Sequence, residues 1–328
     1  MTGPTTCPPA PDGAGEADSL RQIGFSIGGP ALAGFLNWVE RRRIQDGIAH
    51  VLIASPGLKG RHTQIGTPDL HWIGPPAQLV LAGIDERNFI RSLPSLLALC
   101  GAALPQVGPR IGPLSAPLSA LGRLGIPQPA ESVMRDLGLD APVAAAGQGR
   151  LVGFLCAWQR EILKTCRRNR RALLRTLQGI GLGPDDRVAL VDIRPGGALQ
   201  QALAWAVQDL MRLDVSGYYF CLPDGPNRGS ARRPGGQMTA MLDRRTVPSR
   251  LLRHAGRHRH VIDALLGASD SPGLAPLHQG MAQFAHAFAQ RPEPRGGSDA
   301  ADMAGPLLTY LASGAWRDHP VLGRIAAR

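Results

Sequence analysis

Hydrophobic and polar positions along the chain form blocks that have the period of a helix or of a buried strand. In the first clear block, Leu32, Phe35 and Val39 repeat at helical spacing, and arginines precede Gly47. A short, continuous apolar run, HVLIAS, follows directly. The pattern therefore predicts a helix and then a buried strand, which together are half of an α/β unit.

A second series of blocks lies between residues 187 and 222. It consists of an apolar strand, RVALVDI, a helix, GALQQALAWAVQDLMRL, and a further strand, VSGYYFCL. Near-continuous apolar strands are typical of parallel sheets that are covered on both faces. Strand, helix and strand form a βαβ unit with a right-handed crossover. The chain is therefore expected to have an α/β fold built on a doubly wound, Rossmann-like parallel sheet.

The remaining blocks predict helices. Between residues 57 and 149 the periodicity is poor, and the order of this region is left open. One long amphipathic helix is expected in RLVGFLCAWQREILKTCRRNRRALLRTLQGIGL, with arginines in its second half. Three helices are expected after a Pro- and Gly-rich loop, in PSRLLRHAGRHRHVIDALLG, PLHQGMAQFAHAFAQ and MAGPLLTYLASGAW.

These blocks divide the chain into three regions. Residues 1–21 are expected to be a disordered tail, because they carry too little apolar surface to pack against a core. Residues 22–240 are expected to form the α/β core, with a helical insertion at about 85–180. Residues 241–328 are expected to form a helical C-terminal region.

The formal net charge of +11 raises the question of a nucleic-acid partner. All 36 basic residues except Lys59 and Lys164 are arginine, and Ala, Gly and Pro are also plentiful, which is the bias of a GC-rich genome. Aromatic residues make up only 5% of the chain, so bases would find few stacking partners. We therefore expect no nucleic-acid partner, and a basic nucleic-acid-binding protein is the least favoured alternative.

Cysteine and histidine spacing gives no metal or disulfide signature. The five cysteines contain no C-x-x-C pair. His254 and His258 have the four-residue spacing of a zinc helix, but no Glu lies between them and arginines surround them, so a solvated basic helix is expected. No run approaches the ~18 apolar residues of a membrane span, and the first residues lack a signal-peptide pattern. A cytoplasmic protein without a transmembrane segment is therefore expected.

The turn after RVALVDI is the most informative segment for function. The strand ends in Asp192, Gly196 and Gly197 form a turn, and a helix begins near Ala198. Free N–H groups at a helix start attract anions. The dinucleotide motif G-x-G-x-x-G is absent, whereas a methyltransferase-like nucleotide pocket and a plain loop-capping role for Asp192 both remain open. If HVLIAS and RVALVDI are parallel neighbours, their turns meet at one edge of the sheet.

Several segments resemble parts of one protein family. They are GGPALAGFLNWVERRRIQDGIAHVLIASPG, LVDIRPGGALQ, SGYYFCL, VIDALLGASDSPG and LHQGMAQFAHAF, spread over residues 22–290. The first is similar to the G-P-x-x-x-G-F helix and following strand of the haloacid dehalogenase-like (HAD-like) proteins associated with bacterial surface polysaccharide biosynthesis. The second resembles their V-D-I-G-W-x-G-[ST]-x-Q segment. The resemblance implies a HAD-like fold and a role in glycan assembly, with glycosyltransferases or other glycan-biosynthesis proteins as partners.

The departures from that family bear on activity. HAD phosphatases use a D-x-D segment as nucleophile and acid/base with Mg²⁺, and this chain contains no D-x-D. Ser55 and Pro56 stand where the family strand has an arginine and an aspartate, and Arg194 and Pro195 replace its Gly-Trp pair. One aspartate, Asp192, cannot supply nucleophile, acid/base and metal cage together.

The sequence thus predicts a degenerate, non-hydrolytic HAD-like module without a cofactor, which binds a sugar phosphate or nucleotide sugar. No catalytic or metal-binding residue is assigned. The expected ligand-binding residues are Ser55, Lys59, Asp192, Arg194, Gly196, Gly197 and Gln200. The alternative from a different class is a Mg²⁺-dependent phosphohydrolase that recruits acids outside the recognised motifs.

Overall fold

A five-stranded parallel β-sheet forms the centre of the protein. The computed structural model describes residues 12–55, 58–59, 70–100, 120–136, 147–194, 196–222, 236–267, 272–290 and 300–326. The strands are β1 (His50–Ile53), β2 (Leu70–Trp72), β3 (Arg187–Asp192), β4 (Asp214–Cys221) and β5 (Met238–Leu242). They lie in the order β2-β1-β3-β4-β5, and every neighbouring pair is parallel. The α/β class and the parallel sheet are therefore confirmed.

The strand order reverses between β1 and β3. The chain adds β2 on one side of β1, returns to place β3 on the other side, and then continues outward through β4 and β5. This order, 2-1-3-4-5, is one of the two common orders of doubly wound α/β sheets. In such sheets ligands bind outside the carboxyl ends of the two strands at which the order reverses. The fold thus directs attention to the carboxyl ends of β1 and β3.

Both faces of the sheet are buried, as the apolar strands predicted. On β3, Ala189 and Val191 join one apolar cluster, whereas Val188 and Leu190 join a second cluster on the opposite face. This alternation is the period of two that a strand imposes on its side chains. Helices cover each face, and so the sheet has the three-layer arrangement expected of α/β proteins.

The first face is covered by helices from both ends of the chain. They are α1 (Asp12–Ile23), α2 (Gly29–Asp46), α9 (Ser249–Arg257), α10 (Arg259–Leu265), α11 (Ala275–Ala289), α12 (Ala300–Met303), α13 (Gly305–Ser313) and α14 (Pro320–Ala326). A π-helical turn, Gly24–Gly28, joins α1 to α2. Short 3₁₀ turns, Pro272–Leu274 and Ala315–Arg317, precede α11 and α14. α2 ends at Gly47, whose positive φ of 63° suits glycine.

The described middle of the chain forms a further set of helices, and part of this set packs on the second face of the sheet. They are α3 (Pro76–Ala82), α4 (Phe89–Leu99), α5 (Glu131–Asp136), α6 (Gly147–Ala157), α7 (Gln159–Gly179) and α8 (Ala198–Val207). α3, α8 and the second half of α7 pack on the sheet. α4, α6 and the first half of α7 form a separate apolar cluster, which also includes Leu81 of α3 and Ile84 and so extends beyond the predicted insertion at 85–180. No helix in the described part of the chain is long and apolar enough to span a membrane.

The structure corrects four predictions of organisation. Residues 12–21 of the predicted tail belong to α1, and Leu20 is buried in the core; residues 1–11 lie outside the described residues. The long central helix is two helices, because the chain turns at Trp158, whose indole Nε1 donates a hydrogen bond to the Pro127 carbonyl. The basic helix after residue 248 is likewise interrupted at His258, and the predicted boundary at residue 240 falls inside β5.

α1 is held by close backbone contact rather than by many large apolar side chains. A Cβ added to Gly280 of α11 would overlap the backbone carbonyl of Arg21 in α1. A Cβ added to Gly24 would likewise overlap the Leu277 carbonyl. Because glycine lets two helices approach this closely, counting apolar residues underestimates how well residues 12–21 pack.

This packing predicts that Gly280→Ala destabilises the protein. The methyl group forces α1 away from α11, and such overpacking costs about 1–3 kcal/mol. The measurement is the free energy of unfolding in denaturant. Gly153→Ala is the matched control, because a Cβ at this exposed helical glycine meets nothing within 4 Å; it is expected to stabilise by about 0.5–1 kcal/mol. An unchanged stability of Gly280→Ala would contradict the docking of α1.

Candidate functional site

Ser55 and Asp192 lie at the same edge of the sheet, at the point where the strand order reverses. β1 and β3 are parallel neighbours, with Ile53 opposite Val191. The expectation that the turns after HVLIAS and RVALVDI meet at one edge is therefore confirmed. Ser55 is 5% exposed and Asp192 is 4% exposed. Pro56, Gly57 and Pro195 lie outside the described residues.

Asp192 organises the turn that follows β3. Its Oδ1 atom accepts a hydrogen bond of 3.0 Å from the backbone N–H of Arg194, and the Arg194 Nε atom lies 3.8 Å from the same oxygen. Burial raises the pKa of Asp192, while the Arg194 charge and the backbone hydrogen bond lower it. The loop-capping role that the sequence left open for Asp192 is thus present. The Arg194 side chain remains 45% exposed and available to a ligand.

Gly196 and Gly197 lead from this turn into α8. Their φ angles are +126° and +71°, in the region that glycine adopts without strain. Gly197 is the N-cap residue of α8, and no side chain caps this helix end. A Cβ added to Gly196 would meet nothing within 4 Å, so there is open space beside the turn. An uncapped helix start beside an arginine is an environment that favours an anion.

Gln200 contributes to the site indirectly, through the position of α8. Its Nε2 atom donates hydrogen bonds to the carbonyls of Val215 at 2.8 Å and Gln237 at 3.3 Å. Its Oε1 atom accepts a hydrogen bond of 2.8 Å from the Tyr219 hydroxyl. The side-chain amide of Gln200 is buried and engaged inside the protein, so Gln200 holds α8 against β4. The sequence had instead predicted that Gln200 contacts the ligand.

Lys59 lies at the carboxyl edge of the sheet, on the β2 side. Its Nζ atom is 5.4 Å from the centroid of the Trp72 ring, and Trp72 is the last residue of β2. A cation–π contact of this kind holds the ammonium group weakly, so it can exchange the ring for an anion. Lys59 is exposed and adds a second positive charge to this edge.

Asp263 is a residue of the site that the sequence analysis did not single out. It lies on α10 and lines a small cavity with Ile193, Cys221 and Arg259 at the carboxyl ends of β3 and β4. Burial raises its pKa to about 6; the charge of Arg194 opposes this rise, and that of Asp192 adds to it. No described residue donates a hydrogen bond to this carboxylate. The one available signal was an acid inside the apolar run VIDALL.

Arginine side chains accompany the two carboxylates of the site. Within the described ranges, no three His, Cys, Asp or Glu side chains lie together as a metal-binding group. Asp192 and Asp263 are accompanied by Arg194 and Arg259, whose charges oppose a divalent cation. The neighbouring guanidinium groups therefore disfavour Mg²⁺ at these two carboxylates electrostatically.

His254 and His258 do not lie on the one continuous helix that the sequence had indicated. α9 ends at Arg257, and the imidazole of His258 packs at 4.8 Å, between ring centroids, from Trp316. Burial and the neighbouring arginines lower the pKa of His258. This histidine is therefore part of the packing between the C-terminal helices.

Comparison with known proteins does not identify the chain. No model of a known protein family matches it, and no curated protein matches it at a significant level. The HAD-like resemblance therefore rests on the sequence segments quoted above.

The raised pKa of Asp263 predicts a distinct pH dependence of stability. The folded-state pKa of about 6 lies above the unfolded value of about 3.9, so the native state binds more protons between these two values. The free energy of unfolding therefore falls as the pH rises from about 4 to 6 and is level above that range. Asp263→Asn removes this loss and is expected to stabilise the protein at pH 7 by up to about 3 kcal/mol.

The measurement is denaturant unfolding of Asp263→Asn and the parent protein at several pH values between 4 and 7. Asp209→Asn, at a carboxylate that is 57% exposed, is the control and should change stability little at any pH. If Asp263→Asn were destabilising by the same amount at pH 4 and pH 7, the carboxylate would have a structural partner, and the assignment of an unpaired acid would be wrong.

Proposed function

We propose that the protein binds a phosphorylated small molecule at the carboxyl ends of β1 and β3 and does not hydrolyse it. The observation that carries this proposal is the exposed Arg194 side chain beside the uncapped start of α8, at the point where the strand order reverses. We call this region the switch-point site. It comprises Ser55, Lys59, Asp192, Arg194, Gly196 and Gly197.

The charge and the geometry of the switch-point site support an anionic ligand. A guanidinium binds phosphate oxygens through two parallel hydrogen bonds, and it keeps its charge at any physiological pH. The backbone N–H groups at the start of α8 add donors, and the open space beside Gly196 leaves room for a phosphate. Ser55 and Lys59 lie at the same edge and can supply further donors.

The ligand we propose is a sugar phosphate or a nucleotide sugar. The resemblance to HAD-like proteins of surface polysaccharide biosynthesis supports this choice, and it also supports glycosyltransferases or other glycan-biosynthesis proteins as partners. The Asp263 carboxylate adds a chemical argument, because it accepts no hydrogen bond from the described residues and is suited to the hydroxyl groups of a sugar. A HAD-like variant of the α/β fold and a cytoplasmic location belong to the same proposal.

The state of Asp192 argues against covalent phosphoryl transfer. A nucleophilic carboxylate has to be ionised and free to attack, whereas Asp192 is buried and holds the Arg194 backbone N–H. Binding without turnover is therefore the function that this arrangement supports best.

One observation favours a second candidate, a Mg²⁺-dependent phosphohydrolase. Asp263 is a second acid near Asp192, although the sequence contains no D-x-D motif. Two carboxylates provide the minimum for a nucleophile and an acid/base group. This candidate requires Arg194 and Arg259 to move aside for a metal ion, and so we place it second.

The binding proposal predicts that UDP-glucose, glucose 1-phosphate or pyrophosphate stabilises the protein against heat in a saturable way. A ligand at 100 times its Kd adds about 2.7 kcal/mol to the free energy of unfolding. Arg194→Ala removes a charged hydrogen-bond donor and is expected to weaken binding by about 10- to 100-fold. The measurement is a thermal-shift titration of both proteins.

Arg187→Ala is the matched control for this titration. Arg187 is an exposed arginine at the opposite, amino-terminal end of the same strand, and its Nε atom lies 3.6 Å from Asp214. This variant should bind the phosphates as the parent protein does. An equal loss of binding in both variants would show an effect of net charge only and would contradict the switch-point site.

The proposal also predicts no hydrolysis of p-nitrophenyl phosphate or glucose 1-phosphate above background in the presence of Mg²⁺. Without a carboxylate nucleophile that is free to attack, most of the ~8 kcal/mol or more by which enzymes lower such barriers is missing. The measurement is phosphate release with and without metal. Turnover that requires Mg²⁺ and is lost in both Asp192→Asn and Asp263→Asn would instead establish the phosphohydrolase.

A further inference from the structure

α7 presents a row of cations to the solvent. Lys164, Arg168, Arg171 and Arg175 follow one another at intervals of four, three and four residues, and so they lie along one face of the helix. Arg167 adjoins them, and these five exposed side chains border one shallow groove. We call these five residues the cationic stripe. At 1.5 Å per residue, the stripe is about 16 Å long.

Most of the charge on this stripe is not neutralised within the protein. Lys164 pairs with Glu161 at 2.7 Å, and Arg167 pairs with Glu86 at 2.5 Å. Among the described residues, no acidic side chain pairs with Arg168, Arg171 or Arg175. Like charges at these intervals destabilise a helix, so their accumulation requires support from packing.

The buried side of α7 provides that support. Ile162 and Cys166 lie in the apolar cluster of the insertion, and Leu173 and Leu177 lie in the cluster on the second face of the sheet. The guanidinium of Arg170 also donates hydrogen bonds to backbone carbonyls at the end of α3. The helix is thus fixed along its length, and the stripe is held straight on the surface.

Two exposed apolar side chains lie close in sequence to residues of a groove that Arg167 borders. Arg167 borders a groove with Arg87 and Asp209, and the side chains of Arg87 and Asp209 form an ion pair of 3.4 Å. Leu210 follows Asp209 and is 61% exposed, while Ile90, the second residue of α4, lies three positions after Arg87 and is 66% exposed. Large apolar side chains next to a row of cations are typical of surfaces that meet a membrane interface.

From this arrangement we infer that the cationic stripe docks on the surface of a bilayer rich in anionic phospholipids. Clusters of four to eight Lys or Arg residues on an amphipathic helix bind such surfaces, because the headgroups neutralise charges that have no partner in the protein. Ile90 and Leu210 add apolar contact at the headgroup level. A nucleic acid would use neither of these side chains, and the exposed face of α7 carries no aromatic residue for stacking on bases.

The experiment is co-sedimentation of the purified protein with vesicles of phosphatidylcholine alone or with about a third phosphatidylglycerol. Binding is expected only to the anionic vesicles and should weaken as the salt concentration rises. Arg168→Gln combined with Arg171→Gln is expected to weaken it about 25-fold, since each cation near an anionic surface contributes about fivefold. Ile90→Ser combined with Leu210→Ser should also weaken it, without a change of charge.

The matched control is Arg244→Gln combined with Arg245→Gln, which removes two exposed arginines from the loop after β5. This pair should bind the anionic vesicles as the parent protein does, and circular dichroism should show that every variant is folded. Equal weakening by both arginine pairs, or no binding to anionic vesicles, would overturn the inference. A fluorescence-anisotropy titration provides a second test. The inference would also be overturned if duplex DNA bound more tightly than the anionic vesicles and if Ile90→Ser combined with Leu210→Ser left vesicle binding unchanged.

Discussion

The parallel pairing of β1 with β3 is the constraint on which the rest of the structure depends. Residues 54–186 separate these strands in the sequence, yet they pair from His50 opposite Val188 to Ile53 opposite Val191. This pairing reverses the strand order and brings Ser55 and the Asp192 turn to one edge. Because side chains alternate between the two faces, a shift of the register by one residue would move every apolar side chain to the opposite cluster.

The polar groups behind this edge are arranged to support the turn. Gln200 joins α8 to β4 through the Tyr219 hydroxyl and the Val215 carbonyl, and Asp192 fixes the backbone of Arg194. Burial and the charge of Asp192 raise the pKa of Tyr219, so its hydroxyl remains a hydrogen-bond donor at physiological pH. The buried polar side chains thus position α8 and Arg194, and the exposed guanidinium is left for a ligand.

Sequence reasoning could predict the elements whose signal is local. Continuous apolar runs identified β1, β3 and β4, and the turn after Asp192 followed from two glycines before a helix. The missed features depend on contacts between distant segments. α1 is held by the close approach of Gly280 to its backbone. The helix break at Trp158 is accompanied by a hydrogen bond from its indole to the Pro127 carbonyl. Asp263 reaches the site only because α10 packs beside β3.

The central claim, that a phosphate binds where the strand order reverses, is tested most directly by a titration of the ¹⁵N-labelled protein with a nucleotide sugar, followed by amide chemical shifts. The account predicts that the amides of Ser55, Gly196, Gly197 and Ala198 shift together with one dissociation constant. The amides of Arg187 and Asp214, at the opposite edge of the sheet, should stay unchanged. Shifts that cluster at that opposite edge, or that leave Gly196 and Gly197 unaffected at saturation, would contradict it.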